Sequence, residues 1–280
     1  MINVLSLFDG MSCGQIALSK LGVRVDNYYA SEIDKWAIQV AKKNFPDMKH
    51  IGDVTKVKAE DLTKIDLLMG GSPCQGFSFA GKQLNFDDPR SALFFEFVRL
   101  LKECKPKYFL LENVRMKKEY QAVISEHLGV EPVMINSALV SAQNRVRLYW
   151  TNIPGIEQPE DKGIVLKDII DGGTGGNVRS GQPQAYPRDY KKLGLKRVER
   201  MEFRADEKSN TVISNSSKNQ IKVLVVPGTT YRKLTPLECE RLQTVPDNYT
   251  DGVSNTQRYK MLGNGWTVDV ISHILQGIND

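Results

Sequence analysis

The residue with the most specific chemical setting in this chain is Cys74. It lies in Gly70-Gly71-Ser72-Pro73-Cys74-Gln75-Gly76-Phe77-Ser78, directly after the apolar run Ile65–Met69. Glycines let the backbone turn sharply at the end of a strand, and proline sets the direction of the next residue. The thiol is then offered at a rim and not packed in a core. A free thiol titrates near 8.5, so attack needs a neighbouring cation or coupled activation of the substrate. The competing reading, a buried structural thiol, is the commoner fate of a single cysteine, but the flanking glycines weigh against it. Cys13, Cys104 and Cys239 lack such a setting and read as packing residues. None of the four cysteines has metal-ligand or disulfide spacing, so a reducing, cytosolic compartment and no metal are expected.

Three further groups can do chemistry. Glu112-Asn113-Val114 closes the apolar run Tyr108–Leu111, and a glutamate there is either a solvated cap or a buried acid. Gln143-Asn144-Arg145-Val146-Arg147 precedes Leu148-Tyr149-Trp150. Alternate residues of a strand share a face, so Gln143, Arg145 and Arg147 are predicted to point together. Such a row can orient a carboxylate, stabilise a thiolate or meet phosphate. Near the start, Asp9-Gly10-Met11-Ser12-Cys13-Gly14 forms a glycine-containing turn after Val4–Phe8. Backbone N–H groups in such a turn can approach a charged ligand. Glu32, one strand later, is placed to hold ribose hydroxyls, as an acid does in dinucleotide folds, and Asp53 to meet an adenine edge. Residue types alone admit a nicotinamide, a flavin or S-adenosylmethionine here, and a plain structural turn serves as well.

The elements that must position these residues are legible as alternation. Strands are predicted at Val4–Phe8, Val25–Ala30, Ile65–Met69 and Tyr108–Leu111, with helices at Gln15–Leu21, Trp36–Asn44 and Ala92–Leu101. Alternation implies crossover units, an α/β fold and a doubly wound, mainly parallel sheet. Ligands bind beyond the carboxyl ends of such strands. Asp9, Gly10, Glu32, Cys74 and Glu112 all fall there. After Pro154 the character changes. Asp171–Gly181 is glycine-rich and Gln182–Arg204 is crowded with cations, so both are expected in loops. Thr211–Ser214 and Lys222–Val226 are predicted strands of a small β-rich domain. From Leu234 the pattern turns helical, with Thr235 as N-cap before Pro236, and Thr267–Ile278 reads as an amphipathic helix.

The 280 residues carry a formal charge of +5, with 41% hydrophobic and 25% charged residues. That composition excludes disorder and permits nucleic-acid binding without requiring it. No apolar run is long enough to span a bilayer, and the N-terminus does not read as a signal peptide.

Taken together, the motifs resemble those of the cytosine-5 DNA methyltransferase family, in order along nearly the whole chain. Phe8-Asp9-Gly10 is similar to the opening cofactor loop, Glu32 and Asp53 to two acidic cofactor contacts, Pro73-Cys74-Gln75 to the nucleophile motif and Glu112-Asn113-Val114 to the acid motif. Gln143-x-Arg145-x-Arg147 resembles the arginine motif. Arg232-Lys233-Leu234-Thr235-Pro236 with Glu238 and Arg241-Leu242-Gln243 resembles the motif after the recognition region, and Arg258–Gly265 the closing one. Two departures stand out. Ser12 and Cys13 occupy the place of adjacent glycines, and the closing Gly-Asn-Ser/Ala-Val is Gly263-Asn264-Gly265-Trp266. Ala30-Ser31-Glu32, Leu93–Phe97 and Val140-Ser141-Ala142 are similar to the vertebrate de novo enzymes, while the short recognition region resembles bacterial or phage members.

The resemblance implies a Rossmann-like S-adenosylmethionine-dependent fold. A discontinuous catalytic and cofactor-binding domain would span 1–154 plus 231–280, with a target recognition domain at 155–230. It implies catalysis by Cys74, Glu112, Arg145 and Arg147. Cofactor contacts would come from Phe8, Asp9, Gly10, Cys13, Glu32, Ile33, Asp53, Val54, Gly71, Pro73, Leu93, Asn264, Gly265 and Trp266. The cofactor would be S-adenosylmethionine, leaving as S-adenosylhomocysteine. DNA would meet Gln75, Ser78, Lys82 and Arg90 in a lid over Gly76–Arg90, and Arg179, Arg188, Lys191, Lys192, Arg197 and Arg204 in the recognition region. Double-stranded DNA is the expected partner of a monomeric cytoplasmic enzyme, with a cognate restriction endonuclease as a possible second. Two rivals share the fold: a tRNA cytosine-5 methyltransferase, whose Cys-Phe-Thr signature is absent here, and a non-catalytic DNA-binding regulator, which would tend to lose Cys74 or Glu112. A nicotinamide dehydrogenase would leave the cysteine, arginine and closing motifs idle.

Overall fold

A computed structural model describes residues 1–72, 92–171, 178–186, 198–214, 222–225 and 231–278. In chain order the elements are β1 (Ile2–Leu7), α1 (Cys13–Lys20), β2 (Val25–Ser31), α2 (Lys35–Asn44), β3 (Lys49–His50), β4 (Leu67–Gly70), α3 (Ala92–Cys104), β5 (Tyr108–Val114) and α4 (Lys118–Leu128). There follow β6 (Val133–Asn136), β7 (Val146–Thr151), β8 (Val178–Tyr186), β9 (Val198–Phe203), β10 (Lys222–Val225), β11 (Tyr231–Lys233), α5 (Pro236–Leu242), α6 (Asn255–Asn264) and α7 (Val268–Leu275). The chain divides into two compact units. The larger comprises Met1–Asn136, Val146–Pro159 and Trp266–Asp280, and the smaller Ser137–Arg145 and Glu160–Gly265. The smaller unit holds residues 160–230 of the 155–230 segment together with 137–145 and 231–265.

The larger unit is built on a seven-stranded sheet of order β3-β2-β1-β4-β5-β7-β6. The pairs β1–β2, β1–β4, β2–β3 and β4–β5 are parallel, whereas β7 runs antiparallel to both β5 and β6. Order reverses between β1 and β4, so the turns leaving them diverge and open a crevice at the switch point. One face carries a core of Leu5, Leu7, Leu68, Phe109, Leu111, Leu148 and Trp150 against Phe94, Phe97, Val98 and Leu100 of α3 and Ile124 and Leu128 of α4. Trp150 is fully buried and its indole N–H donates to Ser125 Oγ at 3.0 Å, so the tryptophan leaves no polar atom unpaired. α1 covers another part of the sheet. A Cβ at Gly14 would lie 2.5 Å from Met69 Cε and 3.2 Å from the Tyr28 hydroxyl, so the helix approaches the sheet closely there. α7 packs on α1, and Lys20 pairs with Asp269 between them.

In the smaller unit a four-stranded antiparallel sheet runs β11-β10-β8-β9. The stretches expected in loops around Arg179 and Arg204 therefore contain the two paired strands β8 and β9. Thr211–Ser214, expected as a strand, is irregular. Its backbone is satisfied by side chains in place of a ladder. Val212 N–H donates to Gln143 Oε1 at 2.7 Å, and Val212 C=O accepts from Arg145 at 2.9 Å. The N-cap reading at Thr235 holds as a full capping box: Thr235 Oγ1 accepts from Glu238 N, and Glu238 Oε2 accepts from Thr235 N.

Candidate active site

Four turns at the carboxyl ends of β1, β2, β4 and β5 assemble the site of the larger unit. Glu112 is the penultimate inward position of β5 and is 8% exposed. Its partner comes from the adjacent strand. Arg147 of β7 lies opposite Val114, which shares a face with Glu112 because strand side chains alternate. The guanidinium thus reaches diagonally across the pair, and Arg147 Nε lies 2.9 Å from Glu112 Oε1. From the other side the Trp266 indole N–H donates to Glu112 Oε2 at 3.2 Å. Gly71 makes room: a Cβ there would lie 2.9 Å from Trp266 Nε1 and 3.1 Å from Glu112 Oε2. Buried Asn113 donates to Ser72 Oγ at 3.2 Å, which ties the end of β5 to the segment leaving β4.

The expected row of Gln143, Arg145 and Arg147 does not form. β7 begins at Val146, so strand alternation does not extend to the two earlier residues. Arg145, 3% exposed, donates within the smaller unit to Val212 O, Gly263 O and Gly265 O at 2.9, 3.1 and 2.8 Å. Gln143 donates to Leu242 O and to Gln243 Oε1. Only Arg147 goes to the acid.

The turn after β1 holds Phe8, Gly10 and Ser12 at positive φ. Gly10 N–H donates to Glu32 Oε2 at 2.8 Å, while Glu32 Oε1 accepts from Ile33 N and Asp34 N. Glu32 therefore stitches the β1 turn to the β2 turn and keeps about one acceptor position, on Oε2, for a ligand. Ile33 is 76% exposed, an unusual state for a large aliphatic side chain beside a carboxylate. Asp9 accepts from Tyr28 Oη at 2.7 Å and from Ser12 Oγ. Burial of its carboxyl, with the charge on Glu32 adding to the effect, pushes Asp9 up to about 6 against those hydroxyl bonds. Asp53 accepts from Thr55 N and Oγ1 as the cap of a 3-10 turn at Val54–Lys56, and these bonds hold it below the usual carboxylate range. Val54 is buried and Leu93 partly buried. Cys13 is buried in α1. Cys239 is also buried, which pushes its thiol up and makes it inert.

Pro73, Cys74, Gln75, Ser78, Lys82, Arg90, Arg188, Lys191, Lys192 and Arg197 lie outside the described residues. Arg179 belongs to β8, opposite Leu224 of β10. Arg204 is engaged internally: it bonds Asp206 Oδ1 at 2.9 Å and Oδ2 at 2.5 Å, and holds that acid down at about 2. Asn264 is exposed, and Gly265 offers its carbonyl to Arg145 and Gln243.

Two positions that the motifs did not mark, Tyr28 and Arg99, also support the site, and one that they did mark, Trp266, bonds a different partner. Trp266 was expected on the cofactor, not on the acid. Tyr28 braces Asp9. Arg99 donates to Val54 O and Val57 O at 3.2 and 3.0 Å while bonded to Glu96 and Glu103, pinning the segment after Asp53. The i,i+3 and i,i+4 spacing of those acids was visible in the sequence, but their carbonyl targets some 42–45 residues away were not.

A sheet of this order, with a glycine turn after β1 and an acid after β2, is the Rossmann-like fold of S-adenosylmethionine-dependent methyltransferases. The family of C-5 cytosine-specific DNA methylases matches residues 2–153 and 175–280. The type II methyltransferase M1.ScrFI of Lactococcus lactis subsp. cremoris is 34% identical over 98% of this chain and 77% of its own length. M.NlaX of Neisseria lactamica is 30% identical over 99% and 96%. Among solved structures, a DNA modification methyltransferase encoded in an E. coli prophage superposes with a TM-score of 0.69 at 20% identity, covering 99% of this chain and 98% of that one. The chain belongs to the C-5 cytosine-specific DNA methylase family and is a DNA cytosine-5 methyltransferase. As such it uses S-adenosylmethionine. Among the described residues no helix is long and apolar enough to cross a membrane.

Proposed function

We propose that the enzyme methylates C5 of a cytosine flipped out of a specific duplex sequence, through a covalent bond between Cys74 and C6. The observation that carries this is the Glu112 cluster: an acid gripped on both oxygens, with Asn113 bonded to Ser72, two residues before Cys74 in the chain. Cytosine C5 is too weak a nucleophile to act unaided. Addition of the Cys74 thiolate to C6 pushes electrons into the ring as an enamine and makes C5 reactive. Glu112 accepts from the exocyclic amine, which distinguishes cytosine, and a proton shared between its other oxygen and N3 balances the negative charge that develops there. Arg147 keeps that carboxylate oriented. S-adenosylmethionine supplies the methyl group. Loss of the C5 proton then expels Cys74. A stacked base hides C6, so the base must leave the duplex.

For the cofactor, the turn geometry suits an adenosyl group. Glu32, Ile33, Asp53 and Val54, with the backbone at Phe8, Asp9 and Gly10, would hold the cofactor, Glu32 through its carboxylate at the ribose hydroxyls and Asp53 at the adenine edge. Among the described residues a Cβ at Gly10 would meet nothing within 4 Å. The 155–230 segment is assigned the reading of the target sequence. The type II naming of the relatives supports a cognate restriction endonuclease as a partner, and a cytoplasmic monomer is proposed alongside it. Duplex DNA or tRNA incubated with labelled cofactor, followed by bisulfite sequencing of DNA from expressing cells, tests the reading. Label in duplex cytosine that is lost in Cys74→Ser is expected. Label in tRNA alone, or full methylation by Cys74→Ser, would overturn it.

A further inference from the structure

The acid is approached from both flanks of β5, and only one of the two approaches is accounted for by the reaction above. Arg147, from the β7 side, takes Glu112 Oε1. On the β4 side the Trp266 indole N–H takes Oε2, across a gap that Gly71 leaves by having no side chain. Trp266 is 9% exposed and stands just ahead of α7, whose Val268, Val270 and Ile271 are fully buried, so the indole is anchored by a packed helix and not by a loop. A carboxylate has about four acceptor positions. Two donors on opposite oxygens fix both its plane and its χ angles, and direct the two remaining lone pairs one way. A single donor would leave the group free to rotate about its terminal bond, which is a soft torsion.

We infer that Trp266 is a positioning residue for Glu112, acting through its indole N–H and not through the cofactor. The inference rests on the role given above to Glu112 as the group that grips the base. The side chain has no proton to transfer and touches no reacting atom. Its effect is to hold the carboxylate in the one orientation that suits the pyrimidine edge before the base arrives, so no reorganisation is needed in the transition state.

Trp266→Phe keeps the ring and removes the donor. With full-length enzyme and duplex substrate, kcat is expected to fall about tenfold to a hundredfold, as for loss of one hydrogen bond to a charged group. KM for S-adenosylmethionine and for DNA should stay within about twofold. A kcat retained within about twofold overturns the inference. So does a rise in cofactor KM at unchanged kcat, which would assign the indole to the cofactor instead. Inactivity of the wild-type enzyme on DNA cytosine would instead sink the underlying reading of Glu112, a distinguishable result. If the Phe variant fails to fold, the indole itself reports. The chain has three tryptophans, hence three indole N–H resonances in ¹⁵N-labelled protein. Glu112→Gln, which replaces the charged acceptor, is expected to move one of them; a spectrum in which none moves overturns the assignment.

Discussion

At the scale of single residues, the two arginines of one motif have parted roles. Arg147 touches the acid, whereas Arg145 is buried and feeds three backbone carbonyls. Lysine cannot reproduce that fork. Arg145→Lys is expected to cost about 2–4 kcal/mol of stability, read as a lower denaturant midpoint, whereas Arg147→Lys should leave the midpoint nearly unchanged and lower kcat. An Arg145 variant with wild-type stability and lost kcat would reverse this division. Asp9 makes a separate prediction. Unfolded, its carboxyl releases its proton near 3.8; folded, it retains it to about 6. The folded state therefore binds more protons in that interval, and the contribution of Asp9 to stability declines as pH rises from about 4 to 6 and is level above. Asp9→Asn removes the dependence, so its Tm relative to wild type should climb across that window; a constant difference from pH 4 to 8 would contradict the raised value.

Two helices show how a glycine can be needed for unequal reasons. At Gly263 in α6 an added Cβ would fall 2.1 Å from the carbonyl carbon of Ile213 and 2.1 Å from Ser214 N, both backbone atoms. At Gly14 in α1 the nearest atoms are the Cε and Sδ of Met69, the mobile end of a flexible side chain. Overpacking against backbone forces the element to move, whereas methionine can repack. Gly263→Ala is expected to lose about 3 kcal/mol and Gly14→Ala less than about 1.5 kcal/mol, compared by urea midpoints of the two variants. Equal losses would show that the clash, not its partner, sets the cost. Although β3, α4 and β6 went unread, β1, α1, β2, α2, β4, α3 and β5 were readable from their apolar periodicity. The β8–β9 pair was not. Its one glycine, its proline and its cations have loop composition, and only pairing between the segments makes them strands. Nor was the irregular course of Thr211–Ser214, which depends on the Gln143 and Arg145 side chains.

For the molecule as a whole, the ends of the chain belong to one unit. The segment from Trp266 onward returns to the unit that begins at Met1, and α7 packs on α1 with Lys20 paired to Asp269. Val268, Val270, Ile271, Ile274 and Leu275 are at most 1% exposed. Burial of five aliphatic side chains at roughly 1.5–3 kcal/mol each rivals the 5–15 kcal/mol that typically separates folded from unfolded domains. Truncation after Gly265 is therefore expected to give insoluble protein or one lacking a cooperative thermal transition. A soluble, cooperatively melting truncation would show that α1 and its sheet do not depend on the last helix.

The amino-acid sequence alone determined the alternating plan, the turns that carry Asp9, Glu32 and Glu112, the N-cap at Thr235 and the family, because each is written in short, local spacing of residue types. Tertiary structure decided which groups meet. That Arg147 and not Arg145 reaches Glu112 follows from where β7 begins and how it registers on β5. That Trp266 shares the acid follows from a contact across 154 residues, over a glycine whose lack of a Cβ has no meaning until the chain is folded. Periodicity is a property of neighbours along the chain, whereas a hydrogen bond between β5 and the approach to α7 is a property of packing.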